Sequence, residues 1–498
     1  MARCFAVVCA AAAFIPSPPA LRGLGLGGWV LRNARSRPLT PARSPEAGER
    51  GKSGLLFLTV GGEYPNGMPL FPGTNDMNTH ATRRELLRLA AAGALTTANV
   101  PWFRAMAADA AVKQTKPKSC ILLWMDGGPS QAHTFDAKPR GEYPTISTAV
   151  PGTQLTDCLP KMATVMKDVT LLRGMTTGEG DHYRAKYLLH TGYPRLGGFD
   201  YPALGCIAAS EVGPAINDMP NFVTIDAGFD KNNGGRFYRS VPSYLGVKHS
   251  PLAVADPDKG LENLAATGDD AEFAQQLELL MKAEKRIGGD FGAPAVLAKQ
   301  DAFQRALTLM KSKKASAFDL KNEPEKLKAA YGSHKFGKSC LMARRLVEAG
   351  TTFVEVFHRG WDDHEGAGKR IRTRCEWMDP AIATLISDLK DRGLLDSTLI
   401  VWMGEFGRSP VNGSGHYARA WTTFLAGGGL KNGQIVGKTD DKEKNPGSTV
   451  VDRPTTVPDF FATICQIMGI DAKKEVLAPG DRPMRLVEKT GKPIEGLI

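Results

Sequence analysis

Four stretches of this chain place acid or imidazole directly behind an apolar run. Ile121-Leu122-Leu123-Trp124-Met125 ends in Asp126, Gly127 and Gly128, and Val169 to Arg173 leads through Gly174 to Asp181 and His182. Thr352 to Phe357 opens into His358-Arg359-Gly360-Trp361-Asp362-Asp363-His364-Glu365, and Thr398 to Met403 ends at Gly404-Glu405, with His416 soon after. Carboxylates and neutral imidazoles brought together form the ligand set of a divalent metal, often a pair. Such a centre polarises a phosphoryl or sulfuryl oxygen and activates water or a hydroxyl. Each piece also has a plainer reading. Asp126 before two glycines is ordinary turn chemistry, Asp181 is a natural helix N-cap, and 358–365 is a polar surface loop. His182 has no capping role, and three carboxylates with two imidazoles in eight positions exceed what solvating a loop requires.

These groups meet only if the strands before them share an edge. Short apolar runs bounded by turn residues are the mark of buried strands in a parallel sheet, and open α/β sheets bind ligands beyond the carboxyl ends of their strands. The pattern predicts strands over 121–125, 169–173, 221–225, 352–357, 398–403 and 421–426. It predicts helices over 159–166, 183–190, 338–348, 372–392 and 457–468. Residues 136–151 and 226–260, rich in Gly and Pro, read as loops. Residues 261–331, rich in Ala, Leu, Lys, Glu and Gln at helical spacing, read as two or three helices forming a cap or insertion. No G-x-S-x-G elbow supports a serine hydrolase, and no phosphate-cradling or dinucleotide glycine pattern is present.

The formal charge of +11 does not point to nucleic acid, because residues 1–118 carry 15 Lys and Arg against 6 Asp and Glu while the rest is nearly balanced. Within that segment Thr82-Arg83-Arg84-Glu85-Leu86-Leu87, the small apolar run 89–100 and Ala105-Met106-Ala107 follow the order of a twin-arginine export signal. The expected organisation is an over-extended or disordered segment 1–76, a signal 77–107 and one domain 108–498. Translation would then start at Met77 or Met68. After the leader no segment has the ~20 apolar residues that span a membrane. Cys120, Cys158, Cys206, Cys340, Cys375 and Cys465 show no C-x-x-C spacing and read as free thiols.

The motifs DGGPSQAHTFD (126–136), GEGDHYRAKYLLHTGY (178–193), GWDDH (360–364), LLDSTLIVWMGEFGRSP (394–410), AWTTFLAGGGLKNGQIVG (420–437) and VDRPTTVPDFFATICQIMGID (451–471) are together specific. In these the chain resembles the bacterial domain-of-unknown-function family 1501, common in planctomycetes. That family is similar to the alkaline phosphatase and sulfatase superfamily. The resemblance implies an α/β three-layer α/β/α sandwich of alkaline-phosphatase-like type, with a mostly parallel central sheet and a metal site at its carboxyl edge. It carries metal ligation onto Asp126, Asp362, His364, Glu405 and His416. The chain departs from the pattern in three places. No Ser, Thr or Cys stands at the nucleophile position near Gly180 to His182; Thr176 and Thr177 are near but offset, and Ser130 is a fallback. Glu405-Phe406 replaces Asp-His, and Ser414-Gly415-His416-Tyr417 lacks the acidic neighbour of the late histidine.

Two functions follow. The first is exported, metal-dependent hydrolysis of a phosphate or sulfate ester, with polysaccharides among the expected substrates. One or two ions of zinc, calcium or manganese would serve it, with His182 as acid/base or ligand and Arg184 or Arg408 neutralising the anion. The second is a non-catalytic exported protein that keeps the fold and binds an anionic small molecule, a sulfated or phosphorylated glycan, or a protein partner.

Overall fold

The computed structural model describes residues 119–498 apart from 196–197, 227–239, 366 and most of 263–293. The segments 1–76 and 77–107, and much of the 261–331 insertion, lie outside the described residues. Strand β1 (Ser119–Asp126) is followed by a short hairpin, β2 (Thr145–Ser147) and β3 (Gln154–Thr156), and by helix α1 (Pro160–Val165). Then come β4 (Val169–Met175), α2 (His182–Thr191), α3 (Leu204–Glu211), β5 (Phe222–Ile225) and β6 (Leu252–Val254). Helices α4 (Pro294–Lys311), α5 (Glu325–Tyr331) and α6 (Lys335–Glu348) lead to β7 (Phe353–Arg359), α7 (Ala367–Asp391) and β8 (Thr398–Met403). The short pair β9 (Gly407–Arg408) and β10 (His416–Tyr417) precedes β11 (Trp421–Gly427), β12 (Ile435–Val436) and α8 (Val457–Met468).

Among the described residues, eight strands form one sheet in the order β12-β4-β11-β8-β1-β7-β5-β6. Every neighbouring pair is parallel except the two made by β11, which runs antiparallel between β8 and β4. Strand β4 therefore still points the same way as β8, β1 and β7, and all four present their carboxyl ends at one edge. Successive side chains of β1 alternate between faces. Ile121, Leu123 and Met125 pack with Phe336, Leu346, Ile382 and Ile386 of α6 and α7 on one side. Cys120, Leu122 and Trp124 pack with Tyr187, Leu189, Ile207, Phe460 and Phe461 of α2, α3 and α8 on the other. Helices thus cover both faces, which is why β1 is buried at every position rather than alternating with polar residues. The three-layer α/β/α sandwich read from the sequence is the observed fold.

Helix α8 shows how local signals and burial agree. Thr456 and Asp459 form a reciprocal capping box at its start, and Gly469 closes it in the left-handed conformation. Its buried Phe460, Phe461, Ile464 and Met468 each contribute about 1.5–3 kcal/mol relative to exposure.

Three sequence expectations need correction. The loop expected over 226–260 contains β6, which pairs with β5 through Val223–Leu252 to Ile225–Val254; three residues are too short to show a period. The stretch 136–151 contains β2. Helix α3 has no predicted counterpart, because LGCIAASE is buried nearly all round and lacks an amphipathic stripe. All six described cysteines are free, and five are buried.

Candidate functional site

Register sets the site. Asp126 lies beside Arg359 of β7, and Trp124 beside Met403 of β8, so the loops after β7 and β8 leave the sheet at the level of Asp126. Two glycines let those loops close on β1. Gly127 has φ +114°, and a Cβ there would collide with the backbone nitrogen of Asp362. Gly128 has φ +81°, and its Cβ would stand 2.8 Å from the Phe406 ring. Trp361 N also donates to Asp126 O at 3.0 Å, fixing the 360–364 loop against the strand end. From the far side, Asp181 caps α2 by accepting from Arg184 N at 3.0 Å, which sets His182 in the first turn.

The side chains meet on Asp362. Its Oδ1 lies 3.0 Å from His182 Nε2, 3.0 Å from His364 Nε2, 2.7 Å from Arg408 Nη2 and 3.6 Å from His416 Nε2. Among the described residues, one group of three or more metal-capable side chains has its ligand atoms mutually within 4.8 Å, and it is His182, Asp362 and His416. Both imidazoles are held from behind. His182 Nδ1 is 2.7 Å from Glu405 Oε1, and His416 Nδ1 is 2.9 Å from the carbonyl oxygen of Gly180. A carbonyl only accepts, so His416 carries its proton on Nδ1 and turns a bare Nε2 toward Asp362. His182 Nε2 is buried and close to Asp362 but off the angle of a hydrogen bond, so it has no hydrogen-bond partner. A buried ring nitrogen without a hydrogen bond, facing a carboxylate and the bare nitrogen of a second imidazole, fits a divalent ion. The orienting contacts behind each imidazole are those that metal-bound histidines usually have.

Electrostatics couples these groups. Burial disfavours the His182 imidazolium, but the carboxylate of Asp362 3.0 Å from Nε2 and the hydrogen bond and charge of Glu405 at Nδ1 outweigh burial and push the pKa up to about 9. Burial alone would raise the Asp362 carboxyl, yet His182 and Arg408 hold it well below the usual range. Burial, with the nearby charges of His182 and Arg408, lowers His416 despite its bond to Gly180. Two groups open the site to solvent: Asp362, with its side chain 46% exposed, and His364, 60% exposed at the rim. The Phe406 ring, 4.8 Å from both the His182 and His416 rings, walls the inner side.

The other expected residues lie differently. Glu405 is fully buried and faces His182 Nδ1 and Gly127 N, so it orients the His182 ring rather than entering the cluster on Asp362. Asp126 Oδ1 accepts from Lys186 Nζ at 2.7 Å and from Trp124 Nε1 at 3.2 Å. Arg408 is buried, and beyond Asp362 it donates to the carbonyls of Gly127, Gly128 and Ser414. Arg184 points outward to Glu179 at 2.9 Å. Asp363 is bound by Arg370 and Arg374, away from the cluster. His358 is buried against Phe336 and Trp361, and burial keeps it neutral. Ser130 bonds His133 at 2.7 Å, which in turn meets Glu142 at 2.9 Å, and both Ser130 and His133 are buried within the loop after β1. Thr177 makes a local turn with Glu179. Sequence reasoning gave Lys186 no role, although it stands four residues after His182, the spacing that stacks two side chains on one helix face.

A family model described as a protein of unknown function, DUF1501, matches residues 117–498. No curated protein matches the chain in sequence. Solved structures similar to it include the lipoteichoic acid synthase LtaP from Listeria monocytogenes (8% identity, TM-score 0.34, covering 75% of this chain and 76% of that one). Another is the alkaline phosphatase from the Antarctic bacterium TAB5 (12%, 0.34, 72% and 99%). A third is the sulfatase PsFucS1 from Pseudoalteromonas sp. (12%, 0.34, 75% and 72%). At these scores the likenesses say nothing of activity, and the fold stands on the sheet order itself.

Proposed function

The chain belongs to the DUF1501 family, and on that premise we propose that it is a metal-dependent hydrolase-like protein acting on phosphate or sulfate esters, with one ion held by His182, Asp362 and His416. The observation that carries the reading is the convergence of these three ligand atoms at the carboxyl edge of the sheet, with His182 Nε2 buried, without a hydrogen bond, and 3.0 Å from Asp362 Oδ1. Two imidazole nitrogens and one carboxylate oxygen suit zinc or manganese better than calcium, which prefers oxygen alone. An ion bound there supplies Lewis acidity toward an ester oxygen and lowers the pKa of water.

The chain's own groups do the rest. Glu405 holds His182 by Nδ1, and Gly180 O holds His416, so neither ring has to reorient. Phe406 excludes water from the inner wall, and the exposed His364 stands within 3.0 Å of Asp362 as the group best placed to move a proton at the rim. Among the described residues no hydroxyl or thiol is hydrogen-bonded to His182, Asp362 or His416, so water is the nucleophile in this reading and no covalent enzyme ester forms. The expected substrates are anionic small molecules or sulfated or phosphorylated glycans, met outside the cytoplasm after export through the 77–107 signal; a mature N-terminus at Ala108 would support that leader.

One observation favours the second reading, an exported binding protein. Arg408 and Arg184, the cations expected to hold a substrate anion, are engaged by backbone carbonyls with Asp362, and by Glu179. A panel of aryl and sugar phosphate and sulfate esters, assayed with zinc or manganese and again with chelator, separates the two. Turnover that is lost in chelator and in Asp362→Ala supports the hydrolase. Stoichiometric metal with no turnover, and binding of a sulfated glycan, supports the binding protein.

A further inference from the structure

We propose that the ammonium of Lys186 is a built-in cation occupying the place between Asp126 and Glu405 where a second divalent ion would otherwise sit, so that this centre takes one ion and not two. The inference rests on the metal reading above only for that single ion. Lys186 lies one turn after His182 on α2, and its side chain is 8% exposed. Its Nζ is 2.7 Å from Asp126 Oδ1 and 3.8 Å from Glu405 Oε1. The same Glu405 oxygen meets His182 Nδ1 at 2.7 Å.

Asp126 ends β1, Glu405 stands two residues beyond the adjacent β8, and both are buried. Carboxylates brought together out of water repel, and each loses solvation; positive charge between them is what makes the arrangement tolerable. A metal ion or an ammonium meets that need. Here α2 delivers the ammonium, on the face that also delivers His182. The two cations differ in kind. An ammonium donates hydrogen bonds along three directions, but it has no open coordination position and activates no water. Asp126 and Glu405 therefore contribute charge and orientation. Lys186 is a positioning residue, holding Glu405 in line with His182 Nδ1.

The test is metal stoichiometry of the full chain, measured by elemental analysis after dialysis against zinc, alongside thermal unfolding with zinc or chelator. The expected counts are one zinc for the wild type and for Lys186→Arg, and two for Lys186→Ala, falling back to one in Lys186→Ala with Asp126→Asn. Zinc should raise the melting temperature of Lys186→Ala more than that of the wild type. Two ions in the wild type, or one in Lys186→Ala with no extra zinc stabilisation, overturns the proposal. If the wild type takes none and Lys186→Ala takes one that Asp126→Asn removes, the His182–Asp362–His416 site fails while the role of Lys186 stands. If neither takes an ion, the role of Lys186 falls. Should Lys186→Ala fail to fold in chelator, Lys186→Gln folding only with zinc supports the proposal, and failing with zinc overturns it.

Discussion

His182 Nε2 and Asp362 Oδ1 stand 3.0 Å apart, one at the start of the helix after β4 and the other in the loop after β7. In the metal-free chain this contact is an ion pair, because the pKa of His182 is raised to about 9. A raised histidine pKa contributes stability that is fully present below the ordinary value near 6.5 and lost as pH rises through 9. Metal binding has the opposite dependence, since a ligating imidazole must first release its proton. In chelator the melting temperature should fall between pH 6.5 and 9, while zinc affinity should rise across the same window. Calorimetric melts and zinc competition titrations over that range check both, and His182→Gln should flatten both curves.

Glu405 acts on the metal through His182. Removing an orienting partner of a metal-bound histidine typically costs 10–100-fold in affinity. Glu405→Gln keeps the shape and should weaken zinc binding by about that factor without abolishing it. Equal affinity in wild type and variant would show that Glu405 does not orient His182.

Gly127 is where the chain admits the metal loop. Its positive φ is strained for any other residue, and a Cβ there meets the backbone of Asp362. Gly127→Ala should lower stability by more than ~1 kcal/mol and displace Asp362, losing zinc as well. Denaturant melts with zinc titration measure the two effects together. A variant as stable as the wild type, with zinc intact, contradicts the close approach.

Far from the site, Arg344 is buried and holds Glu323 at 2.8 Å, Asp388 at 2.9 Å and Glu348 at 2.7 Å. Its removal takes one buried partner from Glu323 and Asp388, which keep Arg345 and Arg392, so Arg344→Ala should cost about 1.5–3 kcal/mol in urea unfolding.

Glu323 carries the matching acid dependence. Burial alone would raise its pKa, but Arg345 and Arg344 hold it below the ordinary value of 4.5. A depressed carboxylate contributes stability above its unfolded pKa that is lost as pH falls through the folded one. Melts from pH 6 downward should therefore show an acid-side loss that Glu323→Gln reduces.

Much of this architecture was legible in the sequence, and the reasons are specific. β8 was read at its observed ends because Thr398 to Met403 is apolar throughout and bounded by Ser397 and Gly404. α8 is legible as an amphipathic helix over 457–468, and its capping box and closing Gly469 stand at the same ends. The antiparallel direction of β11 was not legible, since an apolar run has no sense of direction. Asp362, His182 and His416 could be named as candidates. That Asp363 and His358 turn away from them could not, because neighbouring positions of one loop are separated only by its backbone path. Lys186 was missed for another reason: a lysine on a helix is read as solvated until a carboxylate from a different strand is seen beside it.

The most direct test of a single divalent centre is zinc-edge X-ray absorption on the zinc-loaded protein. The account predicts light-atom ligands at ~2.0–2.1 Å with scattering from two imidazole rings and no sulfur shell, and loss of one imidazole in His416→Ala. A spectrum without imidazole scattering, or one that His416→Ala leaves unchanged, would contradict it.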